Sequence, residues 1–207
     1  MKNNLVGPKT IQQALAMSAA VLGLIALGLV GYSIHLEKSA KDLVDSVRQV
    51  HSTEDAERMI ESWGKRSGKH FWQESDHLGG EHNFDAQIDN TPLSRLHVWE
   101  PTVVTAGFTM RGHELRSAVV IMTTGRRPDT TSSVWVQEWF EPDSLNRIHV
   151  VAKDKPWKAT VEFTTGIAES QRQKAFALNT SCLARLGGCK SADELLPGVW
   201  HLDTNQP

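Results

Sequence analysis

One uninterrupted apolar run dominates the pattern of the first 36 residues. The segment from Thr10 to Leu36 contains no Asp, Glu, Lys or Arg, and its apolar part covers residues 14–34. At about 1.5 Å of rise per residue, such a helix spans roughly 30 Å, the thickness of the hydrocarbon core of a bilayer. A soluble helix is rarely apolar on every side over this length. The pattern predicts a transmembrane helix at residues 14–34, after a short tail at residues 1–13.

A cleavable signal peptide is the main alternative for this segment. Signal peptides have a shorter apolar region, which small residues follow at the cleavage site. The small residues Ala26 and Gly28 lie inside the apolar run, and Ser39-Ala40 forms only a weak site after it. An uncleaved signal-anchor, which binds the lipid bilayer through residues 14–34, is therefore favoured.

Two helical patterns follow the apolar run. Leu43, Val47 and Val50 are spaced for one helix face, which predicts a helical linker at residues 35–51. Ser52 and Asp55 then form the pattern of a capping box. The next helix has an apolar stripe at positions i, i+3, i+4 and i+7, which we expect to pack on a sheet: Ala56, Met59, Ile60 and Trp63.

The hydrophobic period changes from helical to strand-like in the second half of the chain. A polar, irregular stretch at residues 69–80 reads as a loop, and a short helix is predicted after Thr91-Pro92. Alternating patterns predict six strands at residues 84–88, 102–110, 115–124, 133–140, 147–153 and 157–165. Their connections are too short for parallel crossovers, so we expect an antiparallel meander of about five to six strands. Helical patterns at residues 168–178 and after Ser191 complete a single α+β domain at residues 52–207, with helices on one face of the sheet.

The charge distribution bears on partners and orientation. The net charge is −2, and the first 36 residues contain two lysines and no acidic residue, which leaves −4 for residues 37–207. A mildly acidic domain lacks the electrostatic footprint of nucleic-acid binding. The positive charges that flank the apolar run are equal in number: the terminal amine, Lys2 and Lys9 precede it, and Lys38, Lys41 and Arg48 follow it. The short basic leader favours an N-terminus inside the cell and an extracytoplasmic domain, on a single-pass protein of the cell membrane.

Cys182 and Cys189 are the two cysteines of the chain. The glycine pair Gly187-Gly188 between them lets the chain double back, so a disulfide is expected in an oxidising compartment. Two buried free thiols are the alternative. Their number and spacing fit neither a cysteine zinc site nor a C-x-x-C redox motif.

Three histidines, His70, His77 and His82, lie among acidic residues and form the densest group of metal-ligating side chains. The segment from His77 to His82 superficially resembles an inverted zincin motif, but it has one residue too many. Its glycine pair, Gly79-Gly80, would spoil the helix that the motif needs. A solvated polar loop is favoured, and no metal or other cofactor is predicted.

Trp135 and Trp139 fall on the same face of a predicted strand, in a chain with seven tryptophans. A tryptophan-rich core is one interpretation, because large aromatic side chains dominate cores as well as interfaces. If this face is open, it predicts an aromatic binding surface.

Catalytic signatures are absent from the sequence. It contains no G-x-S-x-G, H-E-x-x-H, phosphate-binding loop or dinucleotide fingerprint, so no catalytic residue is assigned. The favoured function is a membrane-anchored, extracytoplasmic binding or assembly module without enzymatic activity, with a protein as a candidate partner. The alternatives are an anchored hydrolase or metal-dependent enzyme that uses His70, His77 and His82, and a structural subunit of a membrane complex.

Overall fold

The chain forms one long N-terminal helix and an α+β unit. The computed structural model describes residues 8–66, 71–75, 80–97, 99–126, 131–140, 148–154 and 157–202. Two compact units are distinguished, one ending at His35 and the other beginning at Leu36. The helices are α1 (Pro8–Arg48), α2 (Thr53–Arg66), α3 (Thr91–Ser94), α4 (Glu169–Ala175) and α5 (Ala192–Leu195).

Within the first unit, the part of α1 from Leu15 to Ile34 presents apolar side chains on all sides. Nine large hydrophobic residues of α1 between Leu15 and Ile34 are 54% to 70% exposed. This helix is long and apolar enough to cross a membrane. Water would not favour such an arrangement, because each exposed apolar side chain forgoes about 1.5–3 kcal/mol of burial free energy.

In the second unit, the C-terminal part of α1 has a different character. Its apolar positions recur at helical spacing and are almost completely buried: Leu36, Ala40, Leu43, Val44 and Val47. The predicted helical linker at residues 35–51 is thus helical through Arg48, and one face of it packs into the core of this unit.

Local capping explains where α2 begins. The Ser52 hydroxyl oxygen accepts a hydrogen bond of 3.2 Å from the backbone N–H of Asp55, and the Asp55 carboxylate accepts one of 3.1 Å from the N–H of His51. These bonds satisfy donors that a helix N-terminus leaves free. The bond from His51 is the main reason that the pKa of Asp55 lies below its ordinary value. The capping pattern predicted at Ser52 and Asp55 is confirmed.

Seven strands form one sheet in the order β1-β2-β3-β4-β5-β7-β6. All six predicted strands are present, and the additional strand lies within the stretch predicted as a loop. The strands are β1 (Phe71–Ser75), β2 (Glu81–Asp89), β3 (Thr102–Arg111), β4 (Glu114–Thr124), β5 (Ser132–Trp139), β6 (His149–Asp154) and β7 (Trp157–Thr164). The loop prediction for residues 69–80 is therefore wrong at β1, which pairs with β2 at the sheet edge.

The prediction of a purely antiparallel sheet is also wrong, because β5 and β7 pair in parallel. The hairpin of β6 and β7 joins the sheet through β7, and β6 lies outside as an edge strand. β7 has buried residues at alternate positions, Ala159, Val161 and Phe163, which suits an interior strand. A strand inserted between β5 and β6 in this way runs in the same direction as β5.

Helices cover one face of the sheet. The indole of Trp63 in α2 stacks on the ring of Phe108 in β3 with centroids 5.0 Å apart. At the other side of this face, Phe163 of β7 meets Phe176, which follows α4, edge to face at 5.6 Å. Trp63 is buried as predicted, whereas Met59 and Ile60 are half-buried.

Candidate functional site

The sheet face opposite the helices, here called the open face, carries the predicted aromatic pair. It consists of alternate residues of β3, β4, β5 and β7, starting at Val103, Ser117, Ser133 and Lys158. Trp135 and Trp139 both belong to it, as their spacing of four residues requires. Trp135 is 41% exposed, and Trp139 is half-buried.

Trp135 lies in the middle of a row that crosses the sheet. Its register partners are Ile121 on β4 and Thr160 on β7. Beyond them, Thr105 on β3 pairs with Ile121, and Val151 on β6 pairs with Thr160. Side chains opposite each other on neighbouring strands lie about 4.5–5.5 Å apart at Cβ, so this row is a continuous strip of apolar side chains and threonines.

The Trp135 indole is held by its neighbour on the same face. Its Nε1–H donates a hydrogen bond of 3.1 Å to Oε1 of Gln137, a residue that is only 9% exposed. Because the indole N–H, its one polar group, already has a partner within the chain, the exposed part of the ring is apolar. Trp135 thus offers hydrophobic area to a binding partner rather than a hydrogen-bond donor.

Two opposite charges stand on β7 on either side of this row. Lys158 is exposed and Glu162 is half-buried. They are separated by four residues of extended strand, about 13 Å, which is too far for an ion pair between them. Within the described part of the chain, neither side chain has a salt-bridge or hydrogen-bond partner. Lys158 and Glu162 therefore give β7 one positive and one negative charge that are available for binding.

Next to β2, the Asp85 side chain approaches the backbone of β3 so closely that position 107 of the open face accommodates only glycine. A Cβ atom added at Gly107 would lie 1.9 Å from Oδ1 of Asp85. The Asp85 carboxyl group thus lies directly above the Gly107 backbone, and any larger residue at position 107 would displace it.

The predicted histidine group is described only in part. His70 and His77 lie outside the described residues, and His82 lies on β2, half-buried, with its Nδ1 buried and without a hydrogen-bond partner among the described residues. In the described ranges, no three His, Cys, Asp or Glu side chains lie close enough together to hold a metal ion.

A groove of about 570 Å³ lies between the last turns of α1 and the start of α2. Asp42, Asp45 and Asp55 line it together with Arg58, whose guanidinium is 2.5 Å from Asp55.

Cys182 and Cys189 form a disulfide with Cα atoms 5.2 Å apart. Both cysteines are almost completely buried. Two hydrogen bonds hold the loop that they close against the connection between β2 and β3. Asn90 Nδ2 donates to the carbonyl of Leu183 at 3.0 Å, and Trp99 Nε1 donates to that of Ala184 at 2.8 Å. The two cysteines are therefore paired as expected, and the disulfide lies in the core and not on the surface.

A buried ion pair lies beneath the helix-covered face and has no counterpart in the sequence patterns. Arg172 of α4 and Glu138 of β5 are 4% and 3% exposed at their side chains, and their closest N–O distance is 2.8 Å. The same guanidinium donates to the backbone carbonyls of Arg48 and Val50, where α1 ends. Arg172 and Glu138 thus form a structural clamp that joins α4, β5 and the end of α1, and every partner that the described residues provide for it lies inside the unit.

Sequence reasoning missed the apolar residues that surround Trp135. A signal was present: β4 has apolar residues at five consecutive positions from Ala118 to Met122, so both of its faces are apolar. Such runs are typical of strands that are covered on both sides.

Comparison of the chain with protein-family models, with curated proteins and with solved structures finds no match.

Proposed function

We propose that this protein is a membrane-anchored binding or assembly module without enzymatic activity, whose α+β domain lies outside the cytoplasm. The observation that carries the proposal is the apolar surface of α1, whose large side chains from Leu15 to Ile34 are exposed on all sides. Burial in a bilayer would remove this surface from water and would leave no backbone group of the helix without a hydrogen bond. Residues 14–34 would then be the membrane span.

The disulfide supports the side of the membrane that we assign to the domain. Disulfides persist in extracytoplasmic compartments and are rare in the cytosol, where thiols are kept reduced. Cys182 and Cys189 lie in the core, so their pairing is part of the folded structure rather than a surface event. The positive charges around the span do not decide its orientation. The disulfide favours a cytoplasmic N-terminus, because a domain outside the cytoplasm places the N-terminus of a single-pass protein inside it.

The open face supports a binding role for the domain. A sheet face that is only solvated is normally polar, whereas this one presents Val119, Ile121, Trp135 and Trp139. Exposed apolar patches of this kind mark interaction sites, and tryptophan is enriched among the residues that contribute most to binding. The open face therefore serves as the docking surface of the module.

Site-specific photo-crosslinking in intact membranes tests this proposal. A photoreactive benzoylphenylalanine replaces Trp135 in one variant and Glu57, which is exposed on α2 on the other side of the domain, in a matched control. We expect a defined adduct from position 135 and none from position 57. Equal adducts from the two positions, or no adduct from position 135, would contradict a binding role for the open face.

A further inference from the structure

We infer that the occupant of the open face is a second copy of this chain, packed face to face about a twofold axis that runs along the row of Trp135 and Thr160. The inference rests on the proposed function, in which the open face is a docking surface, and names its partner. A twofold interface uses the same patch on both copies, so the patch must be complementary to itself. The residues on both sides of the row meet this condition.

The charges on β7 provide the self-complementarity. Lys158 and Glu162 lie at equal distances on either side of Thr160 and on the same face of the strand. A twofold axis that passes over Thr160 at right angles to the strand makes the facing copies of β7 run in opposite directions. Lys158 of each copy then lies opposite Glu162 of the other, which forms two ion pairs from charges that have no partner within the described part of one chain.

The same axis places apolar groups against each other in the centre. Residues on the row lie opposite themselves, so Trp135 meets Trp135 of the second copy and Ile121 meets Ile121. Two sheets that pack face to face are about 10 Å apart, a distance that interdigitating side chains fill. An interface with buried aromatic residues in its centre and charged pairs at its rim is the usual arrangement of protein–protein contacts.

Sheet twist limits the contact to the middle of the open face. Neighbouring strands rotate by about 20–25° relative to each other, so two twisted sheets diverge away from the axis. The contact is therefore centred on β4, β5 and β7. Asp85 on β2, whose carboxylate lies over Gly107, is two strands from β4 and stands outside it.

Membrane anchoring lowers the entropic cost of this association. Copies that share one bilayer and one orientation meet at a higher effective concentration than free domains do. A contact of modest size can then be populated, whereas the same face on a soluble domain would remain mostly unpaired.

Chemical cross-linking of full-length protein in its own membranes tests the geometry. Thr160→Cys places one reactive thiol on the axis, and a bismaleimide with a reach of about 10 Å can bridge the two thiols, because they lie no farther apart than the two sheets. Ser133→Cys is the control on the same face, because the backbones of its two copies would be about 17 Å apart, from a rise of about 3.3 Å per residue and a sheet separation of about 10 Å. Glu57→Cys is the control on the opposite side of the domain.

We expect the yield of cross-linked dimer from Thr160→Cys to exceed that of either control by about fivefold or more. The native cysteines report on folding in each variant, since an intact disulfide between Cys182 and Cys189 leaves a single thiol per chain to be labelled. A variant that labels at more than one position is misfolded. In that case Ile121→Cys serves as the variant on the axis, and Thr123→Cys serves as its control off the axis.

Charge reversal provides the second arm. In the Thr160→Cys background, Lys158→Glu or Glu162→Lys alone places like charges opposite each other and should lower the cross-linked yield by about threefold to tenfold. The two reversals together should restore it, because the pairs re-form with their signs exchanged. No excess for Thr160→Cys over its controls, or no rescue by the double reversal, overturns the inference. In the photo-crosslinking experiment, an adduct from position 135 with another protein in place of a self-adduct would overturn the inference as well and would leave the proposed docking function standing.

Discussion

Arg172 and Glu138 form an ion pair of 2.8 Å in the core, although 34 positions separate them in the chain. Arg172 also binds the carbonyls of Arg48 and Val50, so one guanidinium joins α4, β5 and the end of α1. The face of Phe176 lies 5.4 Å from the guanidinium carbon and adds a cation–π contact. The clamp contains most of the buried charge that the described residues show, and its removal has measurable consequences.

Replacing Arg172 by Met should lower the free energy of unfolding by about 3–5 kcal/mol, because it leaves Glu138 buried without its counter-charge. Arg111→Met is the control, since Arg111 pairs with Glu81 on the exposed surface, where such pairs contribute about 0–1 kcal/mol. Urea unfolding of the full chain in detergent, followed by tryptophan fluorescence, measures both. Equal losses in the two variants would show that the clamp does not stabilise the unit.

The same pair predicts how stability depends on pH. Burial outweighs the attraction of Arg172 and raises the pKa of Glu138 above its ordinary value of 4.5. The folded state therefore binds the proton more tightly than the unfolded state, so this carboxyl group contributes stability below pH 4.5 that is lost as the pH rises through the raised value.

Unfolding midpoints across this pH window check the prediction. Glu138→Gln should be less stable than the parent chain and should lack this component of the pH dependence. Glu162→Gln, on the open face, should retain it. A pH profile that is unchanged by Glu138→Gln would show that another group is responsible.

The stacking of Trp63 on Phe108 predicts a second stability difference. Trp63→Ala should cost about 3–5 kcal/mol, the range for removing a large buried aromatic side chain. Glu57→Ala, on the exposed side of α2, should change stability by less than about 0.5 kcal/mol. Similar effects of the two substitutions would mean that α2 does not pack through Trp63.

The disulfide can be tested by its reactivity and its effect on stability. In the native membrane, Cys182 and Cys189 should resist thiol labelling until the protein is both unfolded and reduced. Replacing both by Ala should lower stability by about 2–3 kcal/mol, as the entropy of a short closed loop predicts. Two thiols that react freely without reductant would contradict both the pairing and the extracytoplasmic assignment.

Local features of the fold could be predicted from the sequence, because the residues that determine them are close together. The hairpin of β3 and β4 turns at Gly112, where the backbone has a positive φ of 62° that glycine adopts readily. The helix predicted after Ser191 is likewise capped locally, since the Ser191 hydroxyl accepts a hydrogen bond from the N–H of Glu194 at 3.2 Å. In both cases a short sequence contains the whole physical cause.

Features that depend on distant residues could not be predicted in this way. The parallel pairing of β5 with β7 follows from which strand of a hairpin joins the sheet, and neither strand's own pattern specifies a neighbour. The partnership of Arg172 with Glu138 has no local signal either. Spacing alone predicts that Trp135 and Trp139 share one face, but only the three-dimensional arrangement shows that this face is the uncovered one.

Alkaline extraction of the native membrane fraction, combined with the intact mass of the mature chain, tests the central claim most directly. Anchoring through residues 14–34 predicts that the full-length protein stays in the pellet with the lipid, as an integral membrane protein does, with its N-terminal helix intact. Release of the chain into the soluble fraction, or a mature N-terminus beyond residue 26, would contradict the anchored module.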